Sequence, residues 1–197
     1  MRFKLFTYTF ILISAMITHD TKNQVYANDL IIDDRSSADL SSNLGVKWRL
    51  VTDGVMGGLS KGNLILDNYK GRNCLRMRGD VTTENNGGFV QIALPLSDKE
   101  PFDASAYTGV ELEVSGNKES YNIHFRTDSL WFPWQSYRYS FTTSPDWHTH
   151  RIPFARLTPY KTAQIFSQNE IIRIGLVAIG REFQADLCLA SIKFYSE

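Results

Sequence analysis

Residues 48–60 read Trp48-Arg49-Leu50-Val51-Thr52-Asp53-Gly54-Val55-Met56-Gly57-Gly58-Leu59-Ser60, an alternating apolar run that breaks into a glycine-rich segment. A second stretch has the same character: Gly79-Asp80-Val81-Thr82-Thr83-Glu84-Asn85-Asn86-Gly87-Gly88-Phe89. Glycine adopts positive φ and lets other groups approach the backbone closely. Two such loops, each with one carboxylate, indicate a paired feature at one end of a sheet. The alternative is two tight turns, because Asp-Gly and Asn-Gly pairs suit turn geometry.

The carboxylates of Asp53 and Glu84 have two possible roles. They can accept hydrogen bonds from the N–H groups of the loops and tie the loops together. They can instead face a ligand. The frequent use of Asp-Gly and Asn-Gly in turns favours the structural role.

The first 27 residues have the pattern of a secretory signal peptide. Arg2 and Lys4 precede an uncharged apolar run at residues 5–17, and Ala27 suits a signal peptidase. The run is shorter than the roughly 20 apolar residues of a transmembrane helix. The sequence therefore predicts a mature protein that begins near Asn28 and lies in the periplasm or outside the cell. No membrane span is expected after removal of the signal.

The remaining residues, 28–197, are predicted to form a single domain. They carry 18 basic and 20 acidic side chains, a formal net charge of −2. This balance supplies no basic surface for nucleic acid, which is not an expected partner. About 170 residues suffice for one domain with a sizeable core. We find no internal repeat and no linker rich in Pro, Gly or Ser.

Two cysteines, Cys74 and Cys188, remain after export. An exported protein can join them in a disulfide bond. Leu75 and Met77 read as core residues of one strand, so alternation turns Cys74 towards the other face. The strand around Cys188 is apolar on both faces, so its side is undecided. A disulfide and two buried thiols both remain open.

The rest of the chain reads as short strands separated by turn signals, the pattern of a β-sandwich. Alternation is clearest in Val110-Glu111-Leu112-Glu113-Val114. A helical turn is expected at residues 36–42 or 162–167. Two antiparallel sheets packed face to face accommodate this many strands. The predicted strands are residues 30–33, 47–52, 63–66, 74–79, 88–94, 109–115, 121–127, 136–142, 147–153, 171–179 and 185–195.

The segment Thr52-Asp53-Gly54-Val55-Met56-Gly57-Gly58-Leu59-Ser60, followed by Glu84-Asn85-Asn86-Gly87-Gly88-Phe89, resembles the complex I intermediate-associated protein family. This family contains the thirty-kilodalton assembly factor and its bacterial relatives. The resemblance covers essentially all of residues 28–197. Further similar segments are residues 102–112, 121–126, 147–154 and 174–176, and the closing strand to Tyr195.

The resemblance implies an all-β jelly-roll sandwich of the galactose-binding-like kind. It also implies a role in the assembly of respiratory complex I, at least for mitochondrial members. The secretory signal places this chain outside the compartment of the mitochondrial factor. The expected function is therefore a non-catalytic, assembly-factor-like module that binds a protein partner outside the cytoplasm. A carbohydrate-binding module is the alternative.

Catalysis is not indicated, since no activated nucleophile with a base and an orienting partner is found. Asp53 and Glu84 would form a carboxylate pair for glycoside cleavage only at a suitable separation. His148 and His150 share one strand face and, with His124, would supply three nitrogen ligands to a metal. Two histidines on a partly solvated strand are the simpler explanation. We therefore predict no metal, no cofactor and no enzymatic activity.

A dense aromatic run spans residues 131–139. Alternation assigns Tyr137 and Tyr139 to the core, whereas Trp131 and Trp134 fall in an exposed connection. Exposed aromatic side chains near Arg126 suit a glycan or a protein partner. A groove lined by these tryptophans and the two glycine loops would favour a glycan, and a flat apolar patch would favour a protein. The predicted binding residues are Asp53, Gly54, Met56, Gly57, Gly58, Ser60, Glu84, Asn85, Asn86, Gly87, Gly88, Arg126, Trp131 and Trp134.

Overall fold

The structure is a computed structural model that describes residues 28–197; the predicted signal peptide, residues 1–27, lies outside the described residues. The described part of the chain forms twelve β-strands and a few short 3₁₀ turns. It contains no helix long and apolar enough to cross a membrane. The strands are β1 Leu30–Asp33, β2 Arg49–Thr52, β3 Lys61–Tyr69, β4 Arg72–Val81, β5 Phe89–Pro95, β6 Gly109–Gly116, β7 Ser120–Thr127, β8 Ser136–Thr142, β9 His148–Pro153, β10 Thr158–Tyr160, β11 Ile171–Ile179 and β12 Phe183–Tyr195.

The strands form two sheets, and the chain passes back and forth between them. The first sheet has the order β3-β4-β12-β6-β9, with β1 also paired to β12. The second has the order β10-β8-β7-β11-β5-β2. Every strand pairing within residues 28–197 is antiparallel. The predicted all-β, jelly-roll sandwich is confirmed.

The core lies between the sheets and follows from the alternation along each strand. On β6 the side chains of Val110, Leu112 and Val114 are fully buried, and the two glutamates between them point outwards. Large rings fill the space between the sheets, including Phe125 of β7 and Phe194 of β12. Each fully buried apolar side chain of this size stabilises the fold by about 1.5–3 kcal/mol.

A long hairpin joins β3 and β4. Lys70 (φ 48°) and Gly71 (φ 78°) form a two-residue turn, and Tyr69 pairs with Arg72 across it. Positive φ at both turn residues matches the right-handed twist of the flanking strands. The pairing continues from Lys61 to Tyr69, so both strands extend well beyond the predicted residues 63–66 and 74–79.

Two local features of the structure differ from the sequence-based predictions. Residues 36–42 and 162–167 contain no helical turn; a 3₁₀ turn instead follows the second segment, at Gln168–Glu170. Strand β10 was not predicted. It has only three residues, all exposed, and it includes Pro159, which is unfavourable inside a sheet but tolerated at its edge.

The two cysteines form a disulfide bond between β4 and β12. The sequence left a disulfide and two free thiols as alternatives, and the structure has the disulfide. Cys74 lies on the face of β4 opposite the core residues Leu75 and Met77, as the alternation predicts, and its Cα is 5.5 Å from that of Cys188. The bond joins neighbouring strands whose cysteines are 114 residues apart in the sequence.

Candidate functional site

The two glycine-rich loops lie together and are joined by Asp53. This residue opens a 3₁₀ turn, Asp53–Met56, and its side chain is fully buried. Its carboxylate accepts hydrogen bonds from the backbone N–H (3.0 Å) and hydroxyl of Ser60, and from the backbone N–H groups of Gly88 and Phe89 (3.2 Å for Phe89). The hydrogen bonds expected of a structural carboxylate are therefore confirmed for Asp53.

These hydrogen bonds decide the charge of Asp53. Burial by itself raises the pKa of the Asp53 carboxyl, and the bonds from Ser60, Gly88 and Phe89 more than offset this effect. The pKa consequently lies below the usual value for aspartate. The side chain is an ionised acceptor beneath the loops, with both oxygens occupied.

Glu84 differs from Asp53. It opens the short 3₁₀ turn Glu84–Asn86 of the second loop and is exposed. No ion pair of its carboxylate is found within residues 28–197. Because Asp53 is buried and Glu84 is exposed, the two carboxylates do not share a solvent-accessible site.

Four glycines shape these loops for two different reasons. Gly57 (φ 87°) ends the first 3₁₀ turn, and Gly88 (φ 129°) enters β5; both have backbone conformations that side chains rarely adopt. Gly58 and Gly87 instead pack on the Asp53 carboxylate. A Cβ at either position would lie within 3.0 Å of its atoms. The glycines therefore allow two loops to close around one buried charge.

We expect Gly58→Ala to lower the free energy of unfolding by about 2–3 kcal/mol, since the new methyl group displaces the buried Asp53 side chain. Gly57→Ala is the matched control. Nothing lies within 4 Å of a Cβ at Gly57, so this change meets only backbone strain and costs about 1 kcal/mol. Urea denaturation measures both values. Equal losses in the two variants would contradict packing against Asp53 as the reason for Gly58.

A groove with a volume of about 780 Å³ lies on the outer face of the second sheet. The polar side chains of its floor are Gln91 on β5, His124 and Arg126 on β7, Ser136 and Arg138 on β8, and Arg173 on β11. The apolar side chains of Val51, Phe89, Val177 and Ile179 complete the floor at its β2–β11 side. One wall is formed by the glycine loops, through Val55, Met56, Gly87 and Gly88. The other is formed by Trp134, Gln135 and Tyr160.

The groove is rich in basic groups, and no acidic side chain of residues 28–197 lines it. Burial lowers the pKa of the Arg126, Arg138 and Arg173 guanidinium groups. Burial lowers the pKa of His124 to about 3, and the positive charges of Arg138 and Arg173 contribute to this shift. His124 is thus neutral at ordinary pH, and its Nε2 atom is buried with no hydrogen-bond partner in residues 28–197.

Arg126 shapes the aromatic wall of the groove. Its guanidinium donates to the backbone carbonyls of Leu130, Phe132 and Gln135, which folds the connection between β7 and β8 around one side chain. Phe132 and Trp134 stack with a ring separation of 4.9 Å and an interplanar angle of 6°. Trp134 therefore reaches the groove in a fixed orientation.

The predicted site residues separate into three groups. Met56, Gly87, Gly88, Arg126 and Trp134 line the groove. Trp131 is 89 % exposed and lies outside the groove lining. Seven predicted residues belong to the glycine loops without lining the groove: Asp53, Gly54, Gly57, Gly58, Ser60, Glu84 and Asn85. Asn86 ends the 3₁₀ turn of the second loop.

Of the floor residues, only Arg126 was among the predicted binding residues, and two of those not predicted, Gln91 and Arg173, stand out in the sequence. Each is a polar residue in an otherwise apolar strand, and this signal could have identified them. Gly175, the neighbour of Arg173 on the same face, leaves space for the Gln91 side chain; a Cβ there would lie 2.8 Å from Gln91 Nε2. The position of the Gln91 side chain on the floor therefore depends on the glycine at position 175.

The histidines considered as metal ligands lie in different sheets. His148 and His150 are neighbours on β9 of the first sheet, with ring centroids 4.8 Å apart, whereas His124 is on β7 of the second. In the part of the chain that the structure describes, no group of three His, Cys, Asp or Glu side chains is placed to hold a metal ion.

The fold is similar to that of several carbohydrate-binding modules. The family 11 module of the cellulosomal cellulase Lic26A-Cel5E of Clostridium thermocellum superposes with a TM-score of 0.68 at 15% identity, covering 87% of this chain and 96% of that chain. The same family's module in complex with a β-1,3-1,4-mixed-linked tetrasaccharide gives 0.67 at 15% identity, with coverages of 86% and 97%. At such identities the likeness shows the fold, which is galactose-binding-like, as expected.

A family 30 module, from the cellulosomal cellulase Cel9D-Cel44B of Clostridium thermocellum, has a TM-score of 0.63 at 19% identity and covers 87% of this chain and 99% of that chain. No curated protein matches the sequence significantly. The family described as complex I intermediate-associated protein 30 matches residues 37–188, which include both glycine loops and nearly all of the sandwich. The chain therefore belongs to the complex I intermediate-associated protein 30 family.

Proposed function

We propose that this protein is a non-catalytic binding module and that it binds an extended glycan in the groove of the second sheet. The observation that carries the proposal is the groove itself. Its volume of about 780 Å³ lies within the range of roughly 300–1,000 Å³ typical of ligand sites. It combines an aromatic wall with a polar floor, the combination that orients a sugar through ring stacking and hydrogen bonds.

The shape of the groove favours a glycan over a flat protein surface. Trp134 and the glycine loops face each other across it, with Tyr160 continuing the aromatic side. The likeness to modules that include a tetrasaccharide complex supports the same ligand class. Trp131, expected in the lining, does not contribute to the groove.

The absence of catalysis is part of the proposal. The carboxylate of Asp53, two residues before the wall residue Val55, is fully engaged in the hydrogen bonds that close the loops. Glu84 is exposed on its own. A hydrolase of the two-carboxylate kind requires both groups to face one bond of the substrate.

An assembly-factor-like role on a protein client is the second candidate, and the family match favours it. Exposed apolar side chains on one groove wall and outside the groove would suit such a client: Val55 is 73 % exposed, Met56 is 56 % exposed and Trp131 is 89 % exposed. Residues of this kind are typical of protein interfaces.

The protein would act in the periplasm or outside the cell, because residues 1–27 have the composition of a secretory signal. N-terminal sequencing of protein recovered from the cell envelope should give a start near Asn28. An intact Met1 on cytosolic protein would contradict this location.

Affinity electrophoresis of residues 28–197 through gels that contain soluble polysaccharides tests the glycan proposal. We expect retardation by at least one polysaccharide, and Trp134→Ala should weaken it about tenfold or more, the effect of losing a central aromatic contact. Trp131→Ala is the control and should behave as the parent protein. Retardation that depends on Trp131 and not on Trp134 would contradict the groove as the binding site and favour the exposed apolar surface.

A further inference from the structure

The charge of the groove is not balanced by the protein. Three guanidinium groups, those of Arg126, Arg138 and Arg173, lie on its floor. No carboxylate of residues 28–197 forms an ion pair with any of them. Arg173 and Arg126 are paired across neighbouring strands. Burial, and to a lesser extent repulsion from Arg126, lowers the pKa of Arg173.

On the first sheet, by contrast, a partly buried arginine is paired with carboxylates of the same protein. Arg76, on the outer face of β4, donates to Asp67 and to both oxygens of Asp186, with distances of 2.7–2.8 Å. Its neighbour Arg78 lies 3.5 Å from the same Asp186. These two arginines on the outer face of the first sheet are thus paired with carboxylates of the protein, whereas, within residues 28–197, the three arginines of the groove on the second sheet are not.

The three groove arginines differ in how much of their hydrogen-bonding capacity the protein uses. Arg126 donates to three backbone carbonyls. Arg138 donates its Nε to Ser136 and stacks 3.4 Å from the centre of the Tyr160 ring. No hydrogen bond of the Arg173 guanidinium is found in the described residues, although its side chain is half-buried like those of the other two. Arg173 is therefore the donor most available to a ligand.

His124 adds a second, independent sign of a missing partner. It lies between Arg138 and Arg173 in the strand order, since its residue pairs with Arg138 on β8 and with Gly175 on β11. Its side chain is about nine-tenths buried, lines the groove and leaves Nε2 without a partner. A buried polar atom without a hydrogen bond is unfavourable, so a ligand atom is expected there.

We propose that the groove binds an acidic glycan, a polysaccharide whose carboxylate or sulfate groups lie against Arg173 and Arg138 beside His124. This inference rests on the proposed function and specifies its substrate class. Guanidinium groups bind carboxylate and sulfate through paired, charge-assisted hydrogen bonds. The ligand anion supplies the counter-charge that the floor lacks. Trp134 and Tyr160 contact the sugar rings along the aromatic wall.

The test uses matched pairs of polymers with residues 28–197. Polygalacturonate is compared with its fully methyl-esterified form, and dextran sulfate with dextran, so that each pair shares a backbone and differs in charge. We expect at least one charged polymer to bind and its neutral counterpart to bind about tenfold more weakly or not at all, the effect of losing one charge-assisted hydrogen bond. The pair that discriminates identifies carboxylate or sulfate.

Arg173→Gln should weaken binding of the charged polymer about tenfold while the melting temperature stays the same or rises, because the variant loses a desolvated, unpaired charge. Arg156→Gln is the control, since Arg156 is exposed, forms no ion pair in residues 28–197 and lies outside the groove, over the ring of Tyr139. Equal weakening by both variants would show ion exchange at the surface and overturn the inference.

The remaining outcomes separate this inference from the glycan proposal. Neutral polymers could bind in a way that depends on Trp134 and is unaffected by Arg173→Gln. That result would support the proposal of a glycan-binding module and overturn the inference that its ligand is acidic. Binding of polyglutamate with the same dependence on Arg173, and of no polysaccharide, would overturn both and favour an acidic protein client.

Discussion

Asp53→Asn is expected to lower the free energy of unfolding by about 3–5 kcal/mol, because the buried N–H groups of Gly88 and Phe89 lose their acceptor at a cost of about 1–3 kcal/mol each. The carboxylate accepts four hydrogen bonds, two from Ser60 and one each from Gly88 and Phe89. An amide of the same shape has one acceptor oxygen, and its NH₂ group would face N–H donors. Chemical denaturation of both proteins at pH 7 measures the difference.

The pH dependence provides a second signature of Asp53. Its pKa is lowered in the folded protein, so its contribution is complete above the unfolded value of about 3.8 and is lost as the pH falls through the folded value. The stability difference between the parent and Asp53→Asn should therefore narrow at the most acidic pH values.

Glu84→Gln is the matched control, because it removes an exposed carboxylate from the partner loop. Its unfolding free energy should stay within about 0.5 kcal/mol of the parent. If Asp53→Asn were as harmless as Glu84→Gln, the buried carboxylate would not be what joins the loops.

Reduction of the Cys74–Cys188 bond is expected to lower the free energy of unfolding by about 2–5 kcal/mol. The bond closes a loop of 114 residues, and longer loops lose more entropy when they are closed in the unfolded chain. Denaturation with and without dithiothreitol gives the value. The double variant Cys74→Ala/Cys188→Ala should resemble the reduced protein and be insensitive to dithiothreitol.

A parent protein whose denaturation midpoint is unaffected by complete reduction would contradict this expectation. Thiol titration under denaturing conditions confirms that the reduction went to completion. The double variant has no cysteine left, so it shows whether dithiothreitol affects unfolding in any way other than by reducing this bond.

Much of the sandwich could be predicted because each strand carries its own burial pattern. Residues 136–142 and 171–179 were predicted with the bounds that the structure has. The errors arise where local signals are weak. The β3–β4 turn is Lys70-Gly71 in place of a typical Asn-Gly, and β10 is too short and too exposed to show alternation.

The candidate site was harder to predict because it depends on strand order. Arg138 and Arg173 are 35 positions apart in the sequence, and β7 lies between their strands in the sheet. Nothing local in the sequence brings them together with Gln91. The two glycine loops were recognisable as a pair, yet the burial of Asp53 and the exposure of Glu84 follow from tertiary packing alone.

The hydrogen bonds of Asp53 and Arg126 affect which positions of this sequence can vary during evolution. Each wall of the groove is fixed from beneath by one charged side chain bonded largely to backbone groups. Backbone groups are the same whatever side chains the loops carry. Exposed positions such as Val55, Met56 and Trp131 are therefore free to vary while the walls keep their shape, so new ligand preferences can evolve without loss of the fold.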